Sequence, residues 1–324
     1  MGKVVQCELC PNGCVLDVNQ TSRCRTRINK DGRLYSLVYG KPCAVHVDPI
    51  EKKPFFHFLP GTKAFSIATA GCVLSCKFCQ NWQISQVKPE ETDTYDLPPD
   101  KVVNNARIYN CRSIAYTYTE PTAFYEYMFD TALKAKNSDI KNTMHSCGYI
   151  NEKPLRKLCK YMDAADIDLK AFTEDFYDKI CNGSLKYVLN SLIILKEEKV
   201  WLEITNLVIP TLNDEIKNIN EMCRWIVKNL GSDVPLHFSR FFPHYKLTNL
   251  PPTPVETLKN ARKTAMDAGL KFVYIGNVRN EAENTYCPVC KKILIERTGY
   301  QIIKNNILNG KCKFCNTSIS GIWS

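Results

Sequence analysis

The sequence predicts an α/β protein built on a partial (β/α)6 barrel of TIM type, with an N-terminal cysteine-rich module and a C-terminal zinc-ribbon-like module. Three observations carry that prediction. Between about residues 61 and 280, apolar strand-like runs alternate with helix-like segments, the pattern of parallel strands joined by helical crossovers. Polar residues collect at the C-terminal ends of those runs, where barrels of this kind place their chemistry. Most of the 17 cysteines gather in three tight sets, one inside the alternating region and one on each side of it. The chain therefore divides at 1–60, 61–280 and 281–324.

Composition excludes several classes. A length of 324 residues holds one large domain with small appendages. Hydrophobic content of 44% and charged content of 23% exclude a disordered chain. No stretch approaches membrane-spanning length, and no apolar signal region follows the opening Met-Gly-Lys-Val-Val-Gln-Cys-Glu. Clustered thiols in such a chain read as metal ligands in a reducing cytoplasm, not as a disulfide framework. The formal charge of +10 counts every thiol as neutral. Metal-bound thiolates lower it to about +5. That leaves a weak argument for nucleic acid and none for a membrane.

In the first module, Cys7, Cys10, Cys14 and Cys24 follow C-x2-C-x3-C-x9-C. Pro11, Asn12 and Gly13 supply a turn that lets the thiolates converge. Four soft ligands fit structural zinc or an auxiliary iron–sulfur cluster. A closed set with no open position tips the balance to zinc. Residues 15–18 and 34–39 read as short strands around the Lys30-Asp31-Gly32 turn. Cys43 is a spare thiol. His46 and His57 receive no role, since a lone histidine is more often a hydrogen-bonded packing residue than a ligand.

Barrel strands are expected at 64–70, 113–118, 142–146, 165–169, 200–209 and 235–241, with a seventh at 271–275. Helices are expected at 99–109, 122–135, 152–162, 185–197, 215–229 and 254–268. Their boundaries rest on Pro121 near a first turn, on Asn151 and the Asn213-Asp214 pair as N-caps, and on Gly269 as a stop. In the last module, Cys287 and Cys290 are separated by 21 residues from Cys312 and Cys315. Residues 293–297 and 301–304 read as a hairpin around Thr298-Gly299. Two C-x2-C knuckles on hairpin turns make a zinc ribbon, and so small a module needs its metal to fold. It could be structural only, cover the barrel mouth or dock a partner.

The strand ends define a candidate site. Cys72, Cys76 and Cys79 form C-x3-C-x2-C after the first strand, with Phe78 before the last cysteine. Three thiolates on a four-iron cube leave one iron open to a ligand. A structural zinc or a run of buried thiols is the plainer alternative. Glu120 follows the second strand and Ser146 the third. Asp168 and Lys170 flank the end of the fourth, and Thr205 and Asn206 lie on the fifth. His237 or Arg240, depending on facing, and His244 lie on or after the sixth and are the candidates for substrate contact. Plain structural roles compete: Glu120 suits a helix N-terminus, and Asp168 and Lys170 share a strand face as an ion pair. Their common placement at one rim favours a site.

Several motifs, in this order, resemble one family. They are Pro49-Ile50-Glu51-Lys52-Lys53-Pro54-Phe55-Phe56-His57, the cysteine loop with Gln80-Asn81-Trp82-Gln83-Ile84-Ser85, Tyr118-Thr119-Glu120-Pro121-Thr122, Asp168-Leu169-Lys170, Ile209-Pro210-Thr211-Leu212-Asn213-Asp214 and Tyr274-Ile275-Gly276-Asn277. Together they resemble the AmmeMemoRadiSam-system radical S-adenosylmethionine (radical SAM) enzymes, relatives of the pyruvate formate-lyase activating enzymes. The resemblance covers nearly the whole chain. It implies a partial TIM barrel, a [4Fe–4S] cluster on Cys72, Cys76 and Cys79, and S-adenosylmethionine chelated by the open iron. It implies that Glu120 accepts from the cofactor ammonium and that Phe78 lies near the adenine. Ser146, Asp168 and Lys170 match positions around the cofactor carboxylate or an adjacent cation, and Thr119 and Thr205 complete the cofactor-binding candidates. Relatives tend to carry Asn-Gly after the third strand, where this chain has Cys147-Gly148. No Asn side chain is there to donate the relatives' hydrogen bond, and Cys147 reads as a buried inert thiol, with a reactive thiol near the cavity as the alternative.

The resemblance implies an enzyme that cleaves S-adenosylmethionine reductively to methionine and a 5′-deoxyadenosyl radical, which abstracts hydrogen from a substrate. The electron comes from a donor such as a ferredoxin or flavodoxin. One alternative is a glycyl-radical-enzyme activase acting on a partner protein; the substrate could equally be a peptide or small molecule. An alternative of another class is a cysteine-rich metal-binding adaptor for RNA or protein, which needs neither Glu120 nor a barrel rim. No residue pattern names the substrate.

Overall fold

The computed structural model describes residues 3–279 and 281–324. At its centre is one eight-stranded sheet: β1 (Ala44–Pro49), β2 (Lys63–Ala68), β3 (Ser113–Tyr116), β4 (Lys141–Ser146), β5 (Ala164–Asp168), β6 (Trp201–Val208), β7 (Leu236–Arg240) and β8 (Val273–Gly276). The strands pair in sequence order from β1 at one edge to β8 at the other. β1 runs antiparallel to β2, and β2 to β8 are mutually parallel. Among the described residues β8 does not pair back onto β1, so the barrel is partial. The seven parallel strands match expectation to within about two residues. β1 was not anticipated as a sheet member; it lies within residues 1–60.

The parallel strands are legible because both faces are covered. β3 is buried at all its positions, so it reads as an apolar run without alternation. The covering helices are α1 (Pro99–Ile108), α2 (Tyr125–Lys136), α3 (Glu152–Cys159), α4 (Leu185–Glu197), α5 (Ile216–Asn229) and α6 (Val255–Asp267). In α5 the buried residues are Ile219, Met222, Cys223 and Ile226, the spacing of one helical face. Pro121 and Gly269 stand where expected and Asn151 occupies the N-cap position of α3, but its side chain does not cap. Asn151 turns its Nδ2 to the Glu8 carbonyl at 2.7 Å and so ties α3 to the N-terminal module.

Residues 54–59 seal the N-terminal ends of the strands. Phe55, Phe58 and Leu59 bury against Ala64, Ala115 and Ala164, which start three of the strands or lie close to their starts. Glu203 on β6 is fully buried beneath this seal. One of its oxygens accepts from the His57 amide at 2.8 Å and Trp201 Nε1 at 3.1 Å. The other accepts from the Phe56 amide at 3.0 Å and His237 Nε2 at 2.8 Å. Four donors satisfy a charge that would otherwise be costly to bury. His57 is neutral, since burial pulls its pKa down to about 4. Its Nδ1–H donates to the Ser320 carbonyl at 2.7 Å, and its Nε2 accepts from the Tyr274 hydroxyl at 2.6 Å.

The flanking modules pack onto this frame. In the first, Val5–Gln6 pairs with Val15–Leu16, and Arg27–Lys30 pairs with Arg33–Ser36. Of the two segments expected as strands around the Lys30-Asp31-Gly32 turn, 34–39 joins a local hairpin with Arg27–Lys30 and 15–18 pairs elsewhere. Asp31 and Gly32 both adopt positive φ, 52° and 85°, which suits a two-residue turn and leaves only the adjacent strand as partner. Arg27 clamps Glu126 of α2 through both Nη atoms, at 2.7 and 2.6 Å. In the last module, β9 (Ile293–Thr298) and β10 (Gln301–Asn305) form the hairpin. Leu294 and Ile295 bury against Phe56, Phe272 and Tyr274 of the barrel. Arg297 Nη2 donates to the Phe56 carbonyl at 2.8 Å.

Candidate functional site

The cysteine loop leaves β2 through Gly71, whose φ is +90°. A Cβ there would lie 2.4 Å from both the Cys24 carbonyl oxygen and Thr26 Cγ2, so only glycine fits. The loop is held by its backbone. The Ser75 and Lys77 amides donate to the Cys181 and Ile180 carbonyls at 3.0 and 2.9 Å, and the Lys77 carbonyl accepts from the Lys246 amide at 3.0 Å. Asn12 Nδ2 donates to the Val73 carbonyl at 2.8 Å. These contacts aim Cys72, Cys76 and Cys79 into one cavity of about 520 Å³, a volume in the range of small-molecule sites. Burial pushes the Cys72 and Cys79 thiols up. The Cys181 thiol donates to Cys76 and holds it below the usual thiol range. Three converging thiols, Cys76 buried and Cys72 and Cys79 half-buried, are a soft donor set that suits iron.

Across the cavity stands Glu120, 2% exposed. One oxygen accepts from the Thr122 amide at 3.1 Å, the Thr122 hydroxyl at 2.8 Å and the Ser146 hydroxyl at 2.7 Å. The other accepts from the Cys147 amide at 2.8 Å. Glu120 does cap the turn at Pro121–Phe124, yet it also lines the cavity. The Cys147 backbone, not a side chain, supplies the donor at that position. Ser146 lines the cavity as well and fixes the carboxylate.

A second charged group forms the adjoining wall. Lys170 Nζ lies 2.9 Å from Asp168 Oδ2. His145 Nδ1 lies 2.9 Å from Asp166 and its Nε2 3.6 Å from Asp168. His145, Asp166 and Asp168 could together hold a cation. Burial opposes ionisation of Lys170, but Asp168 and the thiol of Cys76 outweigh it and push the pKa well up. For His145, burial is likewise outweighed by Asp168 and Asp166, and the pKa rises. Asn213 clamps this wall from behind: its Nδ2 donates to the Lys170 and Leu207 carbonyls at 2.7 and 2.8 Å, and its Oδ1 accepts from the Ile209 amide. That is how the Asn213-Asp214 stretch acts, in place of capping α5.

A family model described as the Radical SAM superfamily matches residues 66–223. An uncharacterized protein, MJ0808 of Methanocaldococcus jannaschii, is 45% identical over 318 residues, covering 97% of this chain and 95% of that one. The chain belongs to the radical SAM superfamily. Two solved structures share the fold. The radical SAM methyltransferase from Sphaerobacter thermophilus has a TM-score of 0.52 at 12% identity, covering 86% of this chain and 79% of that one. Streptococcus suis SuiB has a TM-score of 0.53 at 12% identity, covering 71% and 52%. Members of the superfamily are enzymes that use an iron–sulfur cluster and S-adenosylmethionine.

Phe78, Thr119, Glu120, Ser146, Asp168, Lys170 and Thr205 all line this cavity. His237, Arg240 and His244 do not. On β7 it is Ser239 that reaches the cavity. His237 shares its face but lies one layer deeper, bound to Glu203. Arg240 turns its Nε to the Thr253 carbonyl at 2.8 Å, and His244 pairs through its backbone with Leu247. Sequence reasoning missed Lys53, Tyr118, His145, Asn277 and Tyr300 of the lining. Lys53 lies 2.7 Å from Asp48 and 3.9 Å from the centre of the Tyr118 ring. Burial still pulls its pKa down to about 8. Tyr300 stands at the tip of the β9–β10 hairpin, so the last module contributes to the mouth.

The cysteines of that module come together. Cys287 and Cys315 sulfurs are 3.5 Å apart and those of Cys290 and Cys312 3.7 Å. All four fall within 4.8 Å of one another. Zn–S bonds of about 2.3 Å give tetrahedral edges of roughly 3.8 Å, so the set fits zinc. Among the described residues no helix is long and apolar enough to cross a membrane.

Proposed function

We propose that Cys72, Cys76 and Cys79 hold a [4Fe–4S] cluster whose open iron binds S-adenosylmethionine, and that the chain abstracts hydrogen from an organic substrate. The observation that carries this reading is one cavity lined by those cysteines, Glu120 and the Asp168–Lys170 pair. When bound, the cluster and cofactor supply reductive cleavage to methionine and a 5′-deoxyadenosyl radical. The rest is work for this chain's residues. Glu120, fixed by Ser146 and the Cys147 amide, presents a carboxylate to the cofactor ammonium. Lys170, held by Asp168, faces the anionic side of the site, including the cofactor carboxylate. Phe78 offers an apolar wall to the adenine. Tyr300, Tyr118 and Lys53 narrow the mouth and limit water, which protects a radical from side reactions. The four ribbon cysteines hold zinc. Low-potential electrons imply a ferredoxin or flavodoxin partner in the cytoplasm. An adaptor for RNA or protein has no use for such a cavity.

The test is anaerobic reconstitution with iron and sulfide, then dithionite and S-adenosylmethionine, with 5′-deoxyadenosine as readout. The wild-type chain is expected to make it and Cys76→Ala to fall to background. Undiminished product from the variant would sink the reading.

A further inference from the structure

The cofactor candidates leave part of the cavity wall without a role, and that part is cationic. Lys52, Lys53, Tyr118, Ser239 and Tyr300 line it with no acid among them. The acids of the lining are Glu120 and Asp168, and both are matched already. Asp168 holds Lys170 at 2.9 Å, and Glu120 accepts from Thr122, Ser146 and the Cys147 amide. The lysines are met instead from behind the wall, by Asp48 on β1, 4% exposed. Its Oδ1 lies 2.8 Å from Lys52 Nζ and its Oδ2 2.7 Å from Lys53 Nζ, and the Tyr118 hydroxyl donates to Oδ2 as well. Burial opposes ionisation of Asp48, but the two lysines and Tyr118 outweigh it and hold the carboxyl well below its usual range. One carboxylate thus serves two ammonium groups, and the unit keeps one positive charge in surplus.

Lys53 carries the argument furthest. Its side chain is 3% exposed, and an ammonium has three N–H donors. Asp48 takes one, and the Tyr118 ring lies 3.9 Å from Nζ. Among the described residues no other group accepts from it. Burial still prevails over Asp48 in pulling its pKa down, so the charge is under-compensated where it stands. Water in the cavity can meet the unspent donors, but it cannot meet the surplus charge. A neutral donor stands on the same wall. Ser239 Oγ accepts from Asn277 Nδ2 at 2.8 Å, which leaves its own proton free to donate. The chain path separates this wall from the cysteines. Lys52 and Lys53 lie in the connection that enters β2, and the cysteine loop leaves the strand at its other end.

We infer that Lys52 and Lys53 bind an anionic group of the substrate, a carboxylate or a phosphate. This names a substrate class for the cavity and rests on the reading above that a substrate enters it. The anion is held by charge-assisted hydrogen bonds, and no covalent bond changes. Asp48 acts as a positioning residue. With one oxygen on each lysine it fixes both ammonium groups before the anion arrives, so little side-chain order is lost on binding. A cationic substrate would add to the surplus charge and is selected against. Lys170, on the other wall, remains for the cofactor carboxylate.

The test titrates the reconstituted full chain, without reductant, with methyl phosphate and separately with malonate at constant ionic strength. The readout is the saturating rise in melting temperature, since general salt effects do not saturate. Wild-type chain is expected to saturate with at least one of the two, and the lower half-saturation concentration tells a phosphoryl from a carboxylate substrate. Lys53→Met is expected to raise that concentration on the order of tenfold. Lys52→Met, at a half-exposed position whose loss the fold tolerates, is expected to raise it roughly threefold. Saturation is expected at the same concentration, within about twofold, with and without S-adenosylmethionine, because the cofactor occupies the other wall. No saturation by either anion in the wild-type chain would overturn the proposal whatever the variants do. So would saturation that both variants leave unchanged, or that S-adenosylmethionine abolishes by competition. Saturation from a chain that makes no 5′-deoxyadenosine would overturn the function proposed above and leave the anion site standing; product without saturation would do the reverse.

Discussion

The mouth and the floor of this barrel carry the same kinds of residue to opposite ends. Each has a buried glutamate, a histidine on a strand and a tyrosine. At the floor, each oxygen of Glu203 accepts from two donors, both ring nitrogens of His57 have partners, and His237 is bound through Nε2. Neither oxygen of Glu203 is left with fewer than two donors. At the mouth, Glu120 has one oxygen with a single donor, and Asp168 and Lys170 face open cavity. A buried acid or histidine is therefore a poor mark of a site. Spare hydrogen-bonding capacity toward a cavity is the better mark, and it explains why His237 is structural while Ser146 is not.

The sharpest way to break the comparison is to remove the floor acid. Glu203→Ala strands His237 and three further donors in a dry floor, and a stability loss of about 3–5 kcal/mol is expected by urea unfolding. A loss under 1 kcal/mol would show that the floor is wetter than described. Next comes pH. His57 has a folded pKa of about 4 against about 6.5 unfolded. The unfolded chain alone takes up a proton between those values. Stability is thus full above pH 6.5 and falls by about 3 kcal/mol on acidifying to pH 4. Glu203, held down by His237, adds its loss at lower pH still. His145 at the mouth has the opposite sign, because its folded pKa is raised. It stabilises below pH 6.5, and that contribution fades as pH rises through its folded value. Opposite slopes are expected to vanish separately, the acid one in His57→Asn and the alkaline one in His145→Gln.

Smaller effects sharpen the mouth. Asp168→Asn frees Lys170 and is expected to weaken S-adenosylmethionine binding about tenfold in calorimetric titration, with little change in melting temperature. A large melting shift with unchanged binding would make Asp168 a floor-type residue. Smallest is Cys181→Ala, which removes a donor to Cys76. The potential of the central cluster is expected to fall on the order of 40 mV in a redox titration.

Much of this was readable in advance, for physical reasons. Strands covered on both faces leave apolar runs, and crossover helices leave apolar stripes, so seven strands and six helices were found near their true ends. Cysteine spacing located all three thiol sets. Glu120, Asp168, Lys170 and Thr205 were reached through their shared placement at strand ends. Depth along a strand was not readable. His237 and Ser239 have the same parity, and only the assembled floor shows which is sunk. β1 was missed because its partner follows it and no turn chemistry announces the pairing. Tyr300 comes from a module whose path over the barrel is not encoded in any local pattern.

One hydrogen bond from the floor has a further consequence. His57 and Ser320 lie 263 residues apart in the chain, and Leu59 with Ile322 closes a similar span. The penalty for closing so long a loop grows only slowly with its length, but it must be met before the contact repays it. The barrel strands can therefore assemble while their underside is still open. The seal is complete only once the ribbon and the tail that follows it have docked. The same docking brings Tyr300 to the cavity, so a chain whose ribbon has not closed lacks its seal at one end and a wall of its mouth at the other.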